Sequence, residues 1–141
     1  MLTALILSLG LTAPDAQAQK NKELVRTFYE DAFVKHQPKE AAEKYLAPTY
    51  IQHNPNVPSG RQPFIDYFVP YFVKNPDARS EIKRILADGD IVAVHVLAKQ
   101  APTDRGAAVV DIFRVKDGKI VEHWDVVQAV PEKAANENTM F

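Results

Sequence analysis

The feature that narrows the fold most is a change of period near residue 80. Upstream of it, apolar residues recur at three- and four-residue spacing; downstream they alternate in β-branched runs separated by turn chemistry. "SEIKRILADGD" reads as a strand ending in an Asp88-Gly89 turn, "IVAVHVLAK" as a second strand, "GAAVVDIFRVK" as a third and "KIVEHWDVVQ" as a fourth. Short connections make this an antiparallel meander, because parallel neighbours need a crossover of about a dozen residues or more. Helices first and strands afterwards, without β-α-β alternation, specify an α+β fold: a curved sheet wrapped around a helical layer.

In the helical half, "NKELVRTFYEDAFVKHQ" places Leu24, Val25, Phe28, Ala32 and Phe33 on one stripe of an amphipathic helix that Asn21 can cap. "PKEAAEKYL" is a second, short helix with Pro38 in its first turn and Pro48 closing it. "TYIQHNPNVPSGRQ" holds a short extended piece from Tyr50 to His53 and then a loop forced by prolines and turn residues. "PFIDYFVPYFVKN" gives a third helix with an apolar stripe of Phe64, Ile65, Phe68, Val69 and Phe72, which Pro70 should kink or split.

Register in the last hairpin follows from the Asp117-Gly118 pair, which fits a two-residue type I′ turn with Lys116 opposite Lys119. Extended without interruption, that pairing sets Asp111 opposite Trp124 and puts Val109, Asp111, Phe113, Ile120, Glu122, Trp124 and Val126 on one face. Val110, Ile112, Arg114, Val121, His123, Asp125 and Val127 then occupy the other. If the "QAPTDRG" loop closes symmetrically, Lys99 opposes Ala107 and His95 opposes Asp111, so His95, Asp111 and Trp124 lie side by side across three strands; a slip of one position undoes this. A carboxylate on such an apolar face must be paired, raised in pKa or partly wet, which makes it a candidate site.

Composition bounds the function. With 141 residues, 46% hydrophobic and 25% charged, the chain is expected to form one domain with an adequate core. It has no cysteine, which removes disulfides, thiolate zinc sites and cysteine nucleophiles. The first eighteen residues carry an apolar run from 2 to 11 and end in Ala16-Gln17-Ala18, so residues 1–18 read as a signal peptide and 19–141 as the mature domain. The alternative is an ordinary N-terminal helix, which Pro14 and the polar "DAQAQKNK" should interrupt; no Lys or Arg precedes the run. Export to the periplasm or medium is therefore expected, and cytoplasmic residence if the leader is not used as one. The apolar run is too short to span a bilayer, so no membrane association is expected after its removal. Loss of Asp15 with the leader leaves 17 basic and 17 acidic residues, dispersed, with no basic stripe for nucleic acid. The four histidines match no local metal-ligand motif, and there is neither a phosphate loop nor a serine nucleophile elbow, so no metal is expected.

Taken together, "YIQHNP", "FIDYFVPYF", "VAVHV" and above all "DIFRVKDGKIVEHWDVVQ" resemble the SnoaL-like polyketide cyclase family of the nuclear transport factor 2-like superfamily, over residues 22–130. The resemblance implies a cone-shaped α+β barrel, with helices packed on a strongly curved antiparallel sheet that encloses a pocket, and a homodimer through the outer sheet face. It also implies acid/base catalysis of an aldol-type closure by a strand aspartate with a nearby histidine and no cofactor. Asp111 resembles that aspartate, His95 the histidine, and His53 and Asn54 the polar positions after the helical hairpin.

The expected catalytic set is Asp111, His95 and His53, and the expected substrate-binding set is Tyr50, Asn54, Phe68, Phe113 and Trp124. An apolar pocket would raise Asp111 from the ordinary value of about 3.9, and Tyr50, Asn54, His53 or His95 could donate to an enolate oxygen. Blander roles stand beside these: a structural Asp111–His95 pair, a His53 that fixes its turn, a Trp124 that is core wall, a solvent-exposed His36, and His123 and Asp125 on the outer face. The function expected is acid/base chemistry on a small apolar carbonyl compound. The alternatives are a non-catalytic ligand-binding or dimeric scaffold protein, and a hydrolase or dehydratase. The C-terminal "PEKAANENTMF" is either a tail or a cover that tucks Met140 and Phe141 over the pocket mouth.

Overall fold

Two positive-φ turns set the frame of the sheet in the computed structural model, which describes residues 13–141. Asp117 and Gly118 adopt φ of 50° and 70°, the type I′ geometry that joins β4 (Ala107–Lys116) to β5 (Lys119–Ala129). Gly89, at φ 57°, turns β2 (Arg79–Asp88) into β3 (Ile91–Lys99), with Asp88 paired to Ile91. The four strands form the expected meander, but the sheet is mixed. Its order is β1-β5-β4-β3-β2, because β1 (Leu46–Gln52) lies parallel to β5 at the edge. The expected extended piece is thus a longer strand. Pro48, read as the end of the second helix, belongs to this edge strand, a position that tolerates a missing N–H.

Helices α1 (Ala13–Tyr29), α2 (Pro38–Tyr45) and α3 (Arg61–Lys74) pack on one face of the sheet, with Phe28 at the centre of the core. Rings of Phe33, Tyr45, Phe64 and Phe113 surround Phe28 at centroid separations of 5.8–6.2 Å. Three helical expectations change. Helix α1 already runs from Ala13 through the polar stretch that follows, so Asn21 lies inside it and is not a cap. Asn21 is buried, accepts from Gln17 Nε2 and donates to Gly89 O, tying α1 to the β2–β3 turn. Helix α3 is not split by Pro70: burial of Phe64, Ile65 and Phe72 outweighs the loss of one hydrogen bond, whereas Val69 faces outward. The apolar run at 2–11 lies outside the described residues, and among those described no helix is long and apolar enough to cross a membrane.

A π-helical turn, Glu30–Val34, follows Tyr29 directly, closed by Lys35 N–H donating to Glu30 O. The extra residue per turn re-aims the side chains, so Tyr29 and Phe33 both reach the sheet-facing side, with ring centroids 4.6 Å apart.

Two one-residue shifts alter the expected registers on either side of β4. In β3–β4, Ala98 rather than Lys99 opposes Ala107, so Val94 faces Asp111 and His95 faces Val110. The connection closes asymmetrically: Asp104 accepts from the backbone N–H groups of Gln100 and Gly106, and Gly106, at φ 87°, sits so close to Ala98 O that a Cβ would lie 2.6 Å from it. In β4–β5, Val115 opposes Ile120 but Arg114 opposes Glu122, leaving Val121 as a bulge. Beyond it Asp111 pairs with Asp125, Ile112 with Trp124 and Phe113 with His123. The bulge exchanges the two faces of β5: His123 and Asp125 point inward with Val109, Asp111 and Phe113, while Glu122 and Trp124 point outward.

The C-terminal segment crosses the outer sheet face. Phe141 stacks on His95 with centroids 5.6 Å apart and lies under Lys83 Nζ, away from the cavity mouth.

Candidate functional site

Between the helical layer and the inner face of the sheet lies a cavity of about 360 Å³, within the range of small-molecule pockets. Its wall is mainly aromatic, with Phe28, Phe33, Phe64, Phe68, Tyr71 and Phe113 among the rings. On one side the wall turns polar, where Tyr29, Tyr50, Gln52, Asn54, Asp111, His123 and Asp125 meet.

Strand alternation carries Asp111 inward between Val109 and Phe113 and leaves it 8% exposed. Its Oδ2 accepts from Tyr29 O–H at 2.9 Å, and its Oδ1 faces His123 Nε2 at 2.9 Å. Parallel pairing sets Gln52 beside His123, and Gln52 Oε1 lies 2.7 Å from His123 Nδ1. The same oxygen accepts the backbone N–H of Asn54, a group that only donates, while Gln52 Nε2 donates to Tyr50. The amide orientation is thereby fixed, and His123 Nδ1 must carry a proton. One proton then remains between Nε2 and Asp111 Oδ1, shared by an imidazole 6% exposed and a buried carboxylate. The couple has no net charge whichever atom holds that proton.

Asp125, directly opposite Asp111, is held through Oδ2 by Asn54 Nδ2–H at 2.6 Å. Opposed carboxylates repel, and the shared proton together with the Asn54 donor offsets this. Ligand-type atoms of Asp111, His123 and Asp125 lie within 4.8 Å of one another, so these three are the group among the described residues that could hold a cation. Each of them already takes part in a hydrogen bond with the protein.

Burial, reinforced by the charge of Asp111 and the hydrogen bond to it, raises the Tyr29 hydroxyl well above its ordinary value. Burial first, then the charges of Asp111 and Asp125, push Tyr50 far up as well, against a small lowering by Gln52. Both phenols stay protonated at neutral pH. Tyr29 donates to Asp111, whereas no acceptor for the Tyr50 proton exists among the described residues, so that hydroxyl can donate to a molecule in the cavity.

Of the residues expected from sequence, Asp111, Tyr50, Asn54, Phe68 and Phe113 line the cavity. His95 does not: the β3–β4 shift turns it to the outer face, where its Nδ1 accepts from Arg84 and its ring meets Phe141. Trp124 is also outside, turned there by the bulge, and stacks on His53 at 4.7 Å with an interplanar angle of 5°. His53 bonds Glu122, which pairs with Arg114, which in turn pairs with Asp90. Both hydrogen bonds hold the Glu122 carboxyl below the usual range, that to His53 more than that to Arg114. His36 is not simply solvated: its Nε2–H donates to Ala78 O and its ring stacks on Phe72. The place expected of His95 is taken by His123.

Four site residues were missed: Tyr29, Gln52, His123 and Asp125. Tyr29 stands four residues after Val25 and four before Phe33, in phase with the helical stripe. Gln52 stands two after Tyr50 on an alternating strand. His123 could have been found from charge pairing, because setting Arg114 opposite Glu122 demands the bulge that turns His123 inward.

Residues 25–123 match the SnoaL-like domain family. No curated protein matches the chain in sequence. Among solved structures, a nuclear transport factor 2-like protein of unknown function from Mesorhizobium loti is 25% identical, with a TM-score of 0.67 over 82% of this chain and 97% of that one. A SnoaL-like protein of unknown function from Burkholderia thailandensis is 18% identical, with a TM-score of 0.68 over 80% and 98%. A Kribbella flavida protein provisionally named a ketosteroid isomerase is 22% identical, with a TM-score of 0.67 over 85% and 86%. Likeness at this level carries the fold, a helical layer on an open five-stranded sheet.

Proposed function

The chain belongs to the SnoaL-like family, and from that premise we propose that it catalyses proton transfer at carbon on a flat, apolar carbonyl compound, as an isomerase or aldol-type cyclase. The observation that carries this reading is the 2.9 Å contact between Asp111 Oδ1 and His123 Nε2 at the polar side of an aromatic cavity. Family membership and neighbours named for cyclase and isomerase chemistry support the class.

In the step proposed, the Asp111 carboxylate takes a proton from the carbon next to the carbonyl, and the C–H electron pair moves onto the carbonyl oxygen. Tyr50 O–H donates to the enolate oxygen so formed, in a site where burial strengthens that bond. The imidazolium of His123 keeps Asp111 charged before transfer and neutralises the site afterwards. The delocalised enolate then either takes the proton back from Asp111 at a different carbon, which is isomerisation, or attacks a second carbonyl of the same molecule, whose alkoxide oxygen takes the proton from Asp111, which is closure. Tyr29 is a positioning residue: its hydroxyl fixes Oδ2 and leaves the carboxylate one orientation.

Deuterium exchange tests this without knowledge of the product. Aromatic ketones incubated with the protein in heavy water should gain deuterium next to the carbonyl. Asp111→Asn and His123→Gln should slow that gain by about a hundredfold or more. No protein-dependent exchange across such a panel would contradict the proposal. The competing reading is a binding protein without turnover, favoured by the fact that both oxygens of Asp111 already have partners. It predicts saturable binding of the same ketones and no exchange.

A further inference from the structure

The cavity carries charge at two ends, and the step proposed above uses only one of them. Where β2 begins and β3 ends, Arg79 stands directly opposite Lys99, two cations facing each other across adjacent strands. Like charges so opposed destabilise a sheet unless something lies between them. Among the described residues no ion pair involves either cation. The acids of the same strand and of the next loop are engaged elsewhere: Glu81 pairs with Lys83, and Asp104 gives both oxygens to the backbone N–H groups of Gln100 and Gly106. Arg79 and Lys99 both line the cavity, and both also line a groove that adjoins it beside Val34, His36 and Leu97. Lys99 is half-buried and Arg79 exposed, so the pair sits at the mouth, where a partly hydrated anion can be held at small desolvation cost. Asp111 lies opposite Val94, so the Val94–Lys99 stretch of β3, at a rise of about 3.3 Å per residue, sets roughly 15 Å between the proton-transfer end and the cations. With Asp111 and Asp125 at one end and Arg79 and Lys99 at the other, the charges draw an anionic group to the mouth and give a molecule bearing one a single favoured direction.

We propose that Arg79 and Lys99 form an anion-binding end of the cavity. The substrate class is then an apolar aromatic carbonyl compound whose far end carries a carboxylate or a phosphate, held between the two cations while the carbonyl lies against Asp111 and Tyr50. The inference rests on the reading of the cavity as a ligand site and adds which ligands it takes and which way round.

Four acetylnaphthalenes test this, alike except that the far end of the ring system carries a two-carbon chain ending in a carboxylate, a phosphonate, a carboxamide or an aminomethyl group. In calorimetric titration near neutral pH and at low salt, the wild-type chain should bind the two anions about tenfold tighter than the carboxamide, and the aminomethyl compound weakest. Added salt should shrink that preference, because the pair lies at the mouth. The tighter of the two anions separates an organic acid from a phosphate ester. Arg79→Gln combined with Lys99→Gln should abolish the preference, and Lys99→Gln alone, which serves if the double variant does not fold, should reduce it. Lys116→Gln, which removes an exposed charge at the opposite end of the sheet, should retain it. Because Lys99→Gln relieves a repulsion, the unliganded variant should be at least as stable to denaturant as the wild type, whereas a merely structural Lys99 predicts a loss. Equal binding of the carboxylate and the carboxamide, tightest binding of the aminomethyl compound, or an anion preference that survives the double substitution overturns the inference alone. Failure of all four to bind the wild type removes the cavity as an aromatic ligand site, and the proposed function with it.

Discussion

The two faces of the β4–β5 hairpin use the same side-chain types for different ends. Inside, Asp111, His123 and Asp125 are tied by hydrogen bonds to Tyr29, Gln52 and Asn54 in a water-poor wall. Outside, two ion pairs, Asp90–Arg114 and Arg114–Glu122, and a hydrogen bond from Glu122 to His53 run from the β2–β3 turn to the end of β1, roofed by Trp124. Burial decides the difference. An exposed ion pair is worth little because water competes for it, whereas a buried pair left without its partner is expensive. The outer network fastens the end of β1 and leaves chemistry to the inner one. One residue, the Val121 bulge, sets His123 and Asp125 on the inner face of β5 and Glu122 on the outer.

His123→Ala breaks the comparison most completely: it strands a buried carboxylate and should cost about 3–5 kcal/mol in denaturant unfolding. Trp124→Leu, which removes the stack on His53 and the contact of the Arg114 guanidinium with the indole ring, should cost about 1 kcal/mol.

Titration sharpens the contrast from both sides. Tyr29 and Tyr50 have raised values in the folded chain, so their contribution is complete below about pH 10, where the unfolded phenol ionises, and is lost as pH rises beyond it. Ultraviolet absorbance should show both ionising only with alkaline unfolding, and Asp111→Asn should bring their ionisation to lower pH. Glu122 is the opposite case: its depressed value stabilises the fold above the ordinary glutamate range, near 4.3, and that stability is lost as pH falls through the folded value. Glu122→Gln should flatten the acid side of the stability profile slightly and leave the alkaline side unchanged.

Much of this was legible in the sequence for local reasons. A strand's own alternation is written in its side chains, so Asp111 is read correctly as inward with Val109 and Phe113. The Asp117-Gly118 turn is read correctly because few residues adopt two positive φ angles. Cross-strand register is not local. It depends on how the loop around Gly106 closes and on one bulged residue, so both neighbours assigned to Asp111 were displaced, with His95 and Trp124 exchanged for Val94 and Asp125. The β1–β5 pairing escaped because a parallel edge strand separated by seventy residues leaves no turn signature.

The central claim is the state of His123, and nitrogen NMR of its imidazole tests it most directly. The account predicts a protonated Nδ1 whose hydrogen, donated to Gln52, exchanges slowly with solvent, and an Nε2 signal that changes on Asp111→Asn while Nδ1 stays protonated. An unprotonated Nδ1, or a ring whose signals ignore Asp111→Asn, would contradict the shared proton and leave Asp111 a structural carboxylate.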